Sequence, residues 1–169
     1  GINRFLAKTW DARTGKELRK SYNFEKNTQS AAFSPDGQRV ITAGWNYMAK
    51  IWDVRTGKEM LALKGDAHHV TPDAWSPDGQ RVITVSYDNE AKIWDARTGQ
   101  ELLNLTGHDD RVFNASFSHD GNRVVTASTD KTAKIWDART GNEMLTLAGH
   151  DNKVMSATFS SDDRFVVTT

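Results

Sequence analysis

The chain has 169 residues, enough for one domain with a sizeable core, and its 22 Lys plus Arg balance 22 Asp plus Glu to a net charge of zero. A protein that grips phosphates carries a basic excess, so no nucleic-acid partner is expected, and no local Lys/Arg run supplies a substitute. With no cysteine there is neither a disulfide framework nor a thiolate site. No apolar stretch approaches the roughly 18 residues of a membrane span and no basic-then-apolar leader is seen, so no membrane partner is expected; the compartment stays open, with the cytoplasm expected if the chain is a natural one.

In chain order the first mark is Ala7-Lys8-Thr9-Trp10-Asp11, followed by Arg13-Thr14-Gly15. Phe33-Ser34-Pro35-Asp36-Gly37 comes next, then Ala49-Lys50-Ile51-Trp52-Asp53. The same pair of signatures returns at Trp75 to Gly79 with Ala91 to Asp95. It returns again at Phe117-Ser118-His119-Asp120-Gly121 with Ala133 to Asp137, and a decayed Phe159-Ser160-Ser161-Asp162-Asp163 follows. Each Trp-Asp pair stands 42 residues after the last, with no insertion. An internal repeat of this length is one supersecondary unit copied along the chain.

Each unit reads as four short strands. In the clearest copy, strand a covers 111–118 and ends at the Ser118-His119-Asp120-Gly121 turn. In the better copies Pro and Gly suit that turn for a tight reversal. Strand b covers 123–129, where Val124, Val125 and Thr126 favour extended backbone. Asp130 and Lys131 turn the chain into strand c, 132–137, with Ile135 and Trp136. Arg139-Thr140-Gly141 reverses it into strand d, 143–148. Four such strands and their turns fill the repeat and leave no room for a helix.

These motifs resemble the WD-repeat β-propeller family over essentially the whole chain: Trp-Asp closing strand c, Gly-His before strand a, and Ser-Pro-Asp-Gly between a and b. The resemblance implies an all-β fold in which each unit supplies one four-stranded blade and blades pack around a channel. Residues 22–63, 64–105 and 106–147 are approximate whole blades. Residues 1–21 hold strands c and d of a split blade and 148–169 its strands a and b, so the chain carries four blade equivalents. Family rings have seven or eight blades, too gentle a curvature for four. The expected partner is therefore a second copy, a homodimer closing an eight-bladed ring, since unpaired edges are adhesive. Copies this even suggest recent amplification or deliberate engineering.

In the family a buried network links the His of Gly-His, a Ser or Thr of strand b, the Asp of the b–c turn and the Trp of strand c. Only one unit matches it fully, at His108, Ser128, Asp130 and Trp136, and its implied role is structural rather than that of a catalytic triad. Elsewhere the His108 position holds Phe24, Asp66 and His150, the Asp130 position Arg4, Asn46 and Asp88, and the Ser128 position Ile2, Gly44 and Ser86. These departures fall in the d–a loops and b–c turns, which share one rim. Phe5, Phe24, Trp45, Tyr47, Met48, His68, His69 and Tyr87 replace polar loop residues there, and large amphipathic groups on exposed loops are what protein-binding hot spots use.

Three functions stay open. The first is a non-enzymatic scaffold binding a partner protein or peptide on that rim. The second is a purely structural, self-assembling ring. The third is metal or small-ligand binding at the channel or at Asp66, His68 and His69. Adjacent histidines in a strand point to opposite sides, which disfavours the metal reading. No cofactor and no catalytic residue is implied, and the Asp-Ala-Arg-Thr-Gly turns of the opposite rim read as a solvated face.

Overall fold

Residues 8–19, 28–44, 48–64, 69–71, 73–86 and 88–169 are described by the computed structural model, and every regular element among them is a β-strand. β1 (Thr9–Trp10) pairs with β2 (Glu17–Arg19). A four-stranded antiparallel sheet follows, of β3 (Thr28–Phe33), β4 (Arg39–Gly44), β5 (Ala49–Asp53) and β6 (Glu59–Leu63), in sequence order. β7 (Arg81–Val85), β8 (Ala91–Asp95) and β9 (Glu101–Leu105) form a three-stranded sheet. β10 (Val112–Phe117), β11 (Arg123–Ser128), β12 (Ala133–Asp137) and β13 (Glu143–Leu147) form a second four-stranded one. β14 (Ala157–Phe159) and β15 (Val166–Thr168) are a final pair.

One expected strand is missing as a strand. Among the described residues between β6 and β7 the strand-a segment keeps two isolated bridges, His69 to Val85 and Trp75 to Val82. The sequence there is Thr71-Pro72-Asp73, and proline has no N–H to give a ladder. Trp75 still anchors the segment, buried and donating its indole N–H to the Ala32 carbonyl of the neighbouring sheet at 3.2 Å.

The turns repeat atom for atom. In each a–b turn a serine hydroxyl donates to the aspartate two residues on, at 2.5 Å in Ser34–Asp36 and Ser76–Asp78 and at 2.6 Å in Ser118–Asp120 and Ser160–Asp162. Gly37, Gly79 and Gly121 close these turns with φ of +68°, +66° and +72°. The fourth copy, which looks decayed in sequence, folds the same way with Asp163 at φ +56°. That left-handed backbone costs a non-glycine residue roughly 1–2 kcal/mol. Asp163 offsets it by accepting the backbone N–H groups of His119 and Asp120, each at 2.8 Å, from the neighbouring sheet. His119, its side chain exposed, thus belongs through its backbone to a joint between units.

Strand alternation divides the core. Val124 and Trp136 face the preceding units in one apolar cluster, while Val125 and Ile135 face Val154, Ala157 and Phe159 in a second. The joints between sheets are as regular as the turns. Arg39 stacks on Trp75, Arg81 on Phe117 and Arg123 on Phe159, at 4.6, 5.2 and 5.0 Å from the ring centres. Each guanidinium also donates to the carbonyl of the next a–b turn, at Gly79, Gly121 and Asp163.

Candidate functional site

Tryptophan anchors each of the three larger sheets. The indole N–H groups of Trp52, Trp94 and Trp136 donate to Thr42, Thr84 and Thr126 at 2.9, 2.8 and 2.8 Å. In the last of these sheets the bond extends into a relay. The Thr126 hydroxyl accepts from Trp136, which leaves its proton for Nε2 of His108 at 2.7 Å. His108 Nδ1–H in turn donates to the Asp130 carboxylate at 2.7 Å. Counting donors fixes the histidine as the Nδ1–H tautomer and points every bond one way.

The bridging hydroxyl therefore belongs to Thr126, not Ser128 as the motif comparison has it. Ser128 Oγ donates to the Asp110 carbonyl at 2.8 Å and accepts the Asp130 N–H at 3.1 Å, so it shapes the b–c turn instead. Both residues lie on β11 two positions apart and share a face. The signal that separates them is periodicity, since threonine recurs at 42, 84, 126 and 168 while the Ser128 position varies.

Thr126, His108 and Asp130 have the connectivity of a hydrolase triad, but the nucleophile position is closed. Thr126 is fully buried and its lone pair is engaged by Trp136, and the His108 side chain is 1 % exposed. No substrate atom reaches that hydroxyl. What the relay does is tie strand c, strand b, the d–a loop and the b–c turn into one rigid end.

Its electrostatics make that end sensitive to acid. Burial pushes the His108 pKa below its ordinary value, against the pull of the Asp130 carboxylate. For Asp130 burial acts upward, but hydrogen bonds from Thr132 and His108 outweigh it and hold the carboxyl at about 2. Both groups bind fewer protons folded than unfolded, so both lose stability as pH falls. The His108 contribution is complete above an unfolded pKa of about 6.5 and fades below it, while that of Asp130 fades from about 3.9 downward. The urea midpoint is thus expected to drop between about pH 7 and about pH 5. His108→Gln should remove part of that slope and leave the part due to His69, whose pKa burial also lowers.

The b–c turns and d–a loops cap this end of the sheets. Of the proposed contact residues, Met48 is half-buried just before β5, and His69 is half-buried with Nδ1 buried and unbonded. Phe5, Phe24, Trp45, Tyr47, His68 and Tyr87 lie outside the described residues. Asn89 and Lys131 sit at equivalent b–c positions in left-handed backbone, φ +68° and +73°. Among the described residues no group of three or more His, Asp or Glu could hold a metal ion.

The opposite rim is uniform. Asp11, Asp53, Asp95 and Asp137 each accept the backbone N–H and the hydroxyl of the threonine three residues on, which holds each carboxylate below its ordinary pKa. On this side a cavity of about 550 Å³ opens among Phe33, Trp75, Phe117, Phe159 and the turn prolines Pro35 and Pro77. Three of those four rings are already covered by arginine.

Comparison with known proteins agrees with this construction. No curated protein sequence matches the chain. The family model described as "Eukaryotic translation initiation factor eIF2A" matches residues 7–106, and the one described as "WD domain, G-beta repeat" matches residues 99–137 and 141–169. A repeat of Trp-Asp strands, threonine-bonded indoles and serine–aspartate turns, matched by the WD-repeat model over residues 99–137 and 141–169 and by the initiation-factor model over the part before them, places this chain in the WD-repeat family.

Proposed function

We propose that this chain is a non-enzymatic recognition scaffold that binds a partner protein or peptide on the rim formed by its b–c turns and d–a loops. WD repeats generally mediate protein–protein interaction. The observation that carries the reading here is the contrast between the two rims. One builds the same aspartate–threonine turn four times, at Asp11, Asp53, Asp95 and Asp137. The other has the complete relay once among the described residues, and the sequence puts Phe5, Phe24, Trp45, Tyr47, Met48, His68, His69 and Tyr87 in its b–c turns and d–a loops. A fixed scaffold with one varied, aromatic loop face is how repeat folds present recognition surfaces. The match to the initiation-factor model makes proteins of translation initiation the first candidates for the partner. In the same reading a second copy completes the propeller to eight blades, with a solution mass of about 38 kDa, twice 18.9 kDa.

Selecting a displayed peptide library on the chain tests the rim. Selected peptides should lose affinity by roughly tenfold or more on Trp45→Ser/Tyr47→Ser, with the solution mass unchanged. Affinity that ignores these substitutions would reject the rim as the binding face and favour a purely structural ring.

A further inference from the structure

Neighbouring a–b turns are joined by one repeated clamp, and that clamp does not say which unit belongs beside which. Arg39, Arg81 and Arg123 each cover a ring of the next unit and donate to the carbonyl of its turn, at Gly79, Gly121 and Asp163. Units this alike can stack out of order while the chain folds, a characteristic failure of repeat proteins. A second contact at the same joints does differ. At two of them a glycine faces a proline of the preceding turn. A Cβ added to Gly79 would lie 3.7 Å from Pro35 Cδ, and one added to Gly121 would lie 3.4 Å from Pro77 Cδ. At the third joint the facing couple is Asp163 and His119, so both members have changed together.

The two changes need each other. Proline has no N–H to give. Histidine restores one, which donates to Asp163 Oδ1 at 2.8 Å, while the Asp120 N–H donates to Oδ2 at 2.8 Å. The imidazole Nδ1 lies 3.2 Å from the same Oδ1. The Asp163 side chain is only 12 % exposed. Burial pushes its pKa up, and the bonds from His119 and Asp120 outweigh that and hold it below the ordinary carboxylate value. Beside Pro35 or Pro77 the same side chain would meet a ring carbon where it now meets a donor. A largely buried carboxylate short of one partner is destabilising, and its left-handed backbone would no longer be offset.

We propose that His119 and Asp163 are a matched key that admits the third complete unit, and not the first or second, beside the β14–β15 hairpin, and so fixes the order in which these near-identical units stack. The key works by exclusion. The arginine clamp attracts any neighbour, whereas the carboxylate disfavours a neighbour whose turn carries proline.

A double-mutant cycle and a refolding assay test the key. Proline fits the backbone at 119, since the sibling turns carry it with the same serine–aspartate bond and the same closing glycine bond. With Asp163 in place, His119→Pro should raise the unfolding equilibrium constant roughly tenfold. In the background of Asp163→Gly it should lose nothing, or gain slightly by stiffening the unfolded chain. Equal effects in the two backgrounds would overturn the pairing. The couple should also transplant to the preceding joint, at Gly121 and not at Gly79, where a Cβ would press on Arg39 Nη2 at 3.0 Å. Gly121→Asp alone should lower the urea midpoint, and adding Pro77→His should restore most of the loss; a midpoint that stays down counts against the key. Order is read separately from stability. His119→Pro/Asp163→Gly returns the joint to the glycine–proline form and should keep a midpoint close to that of the wild type. After dilution from urea it should nevertheless leave a severalfold larger share of chains in swapped or mis-stacked species, measured by size exclusion with light scattering. A refolding yield equal to that of the wild type would reduce the pair to an ordinary contact and sink the proposal.

Discussion

Trp94→Ala is expected to cost about 3–5 kcal/mol of unfolding free energy, a large share of the roughly 5–15 kcal/mol that holds a domain of ordinary stability. The indole is 1 % exposed and lies in the larger apolar cluster, close-packed so that its loss leaves a void. Two effects combine, the cavity and the orphaned Thr84 hydroxyl 2.8 Å from the indole nitrogen. Trp94→Phe separates them, since it keeps most of the volume and loses the donor. It should cost only about 1–2 kcal/mol. Urea unfolding followed by circular dichroism reads both numbers. If the alanine and phenylalanine variants prove equally unstable, the hydrogen bond and not the packing dominates the anchor.

The strands were readable because three independent signals recur together: alternating apolar residues, turn residues at fixed offsets, and the Trp-Asp mark. Observed strands such as Val112–Phe117 and Arg123–Ser128 end within a residue of the ranges expected for them. Where sequence reasoning slipped, a local feature competed with the repeat. Pro72 lies in a segment that the repeat alone reads as strand a, and the ladder there shrinks to two bridges. Asp163 looks like a degraded turn glycine, but its carboxylate caps the neighbouring turn, a contact across 43 and 44 residues that no local pattern reveals. Motif comparison points to Ser128 because a motif names residue types and not atoms, and two hydroxyls on one strand face satisfy the same words. Residues on the varied rim were legible as unusual, since they break the repeat. What they touch depends on a partner that the sequence does not encode.

Arg81→Ala is expected to loosen the joint between the second and third complete units by about 3–4 kcal/mol. One guanidinium makes three contacts across that joint. It donates to the carbonyls of Ala138 and Gly121, each at 2.7 Å, and its plane lies over the Phe117 ring. Alanine removes all three and leaves two carbonyls at a part-buried interface with no donor. Arg81→Lys keeps the charge but not the planar fork, so it can serve one carbonyl and stacks poorly. It should recover less than half of the loss. Arg123→Ala is the internal control, because that side chain has one such carbonyl bond, to Asp163, besides its ring, and about 2 kcal/mol is expected there. The order Arg81→Ala, then Arg123→Ala, then wild type in denaturant midpoint tests whether hydrogen bonds across the joints set the stability of the assembly. An equal loss at both arginines would mean that ring stacking alone holds the units together.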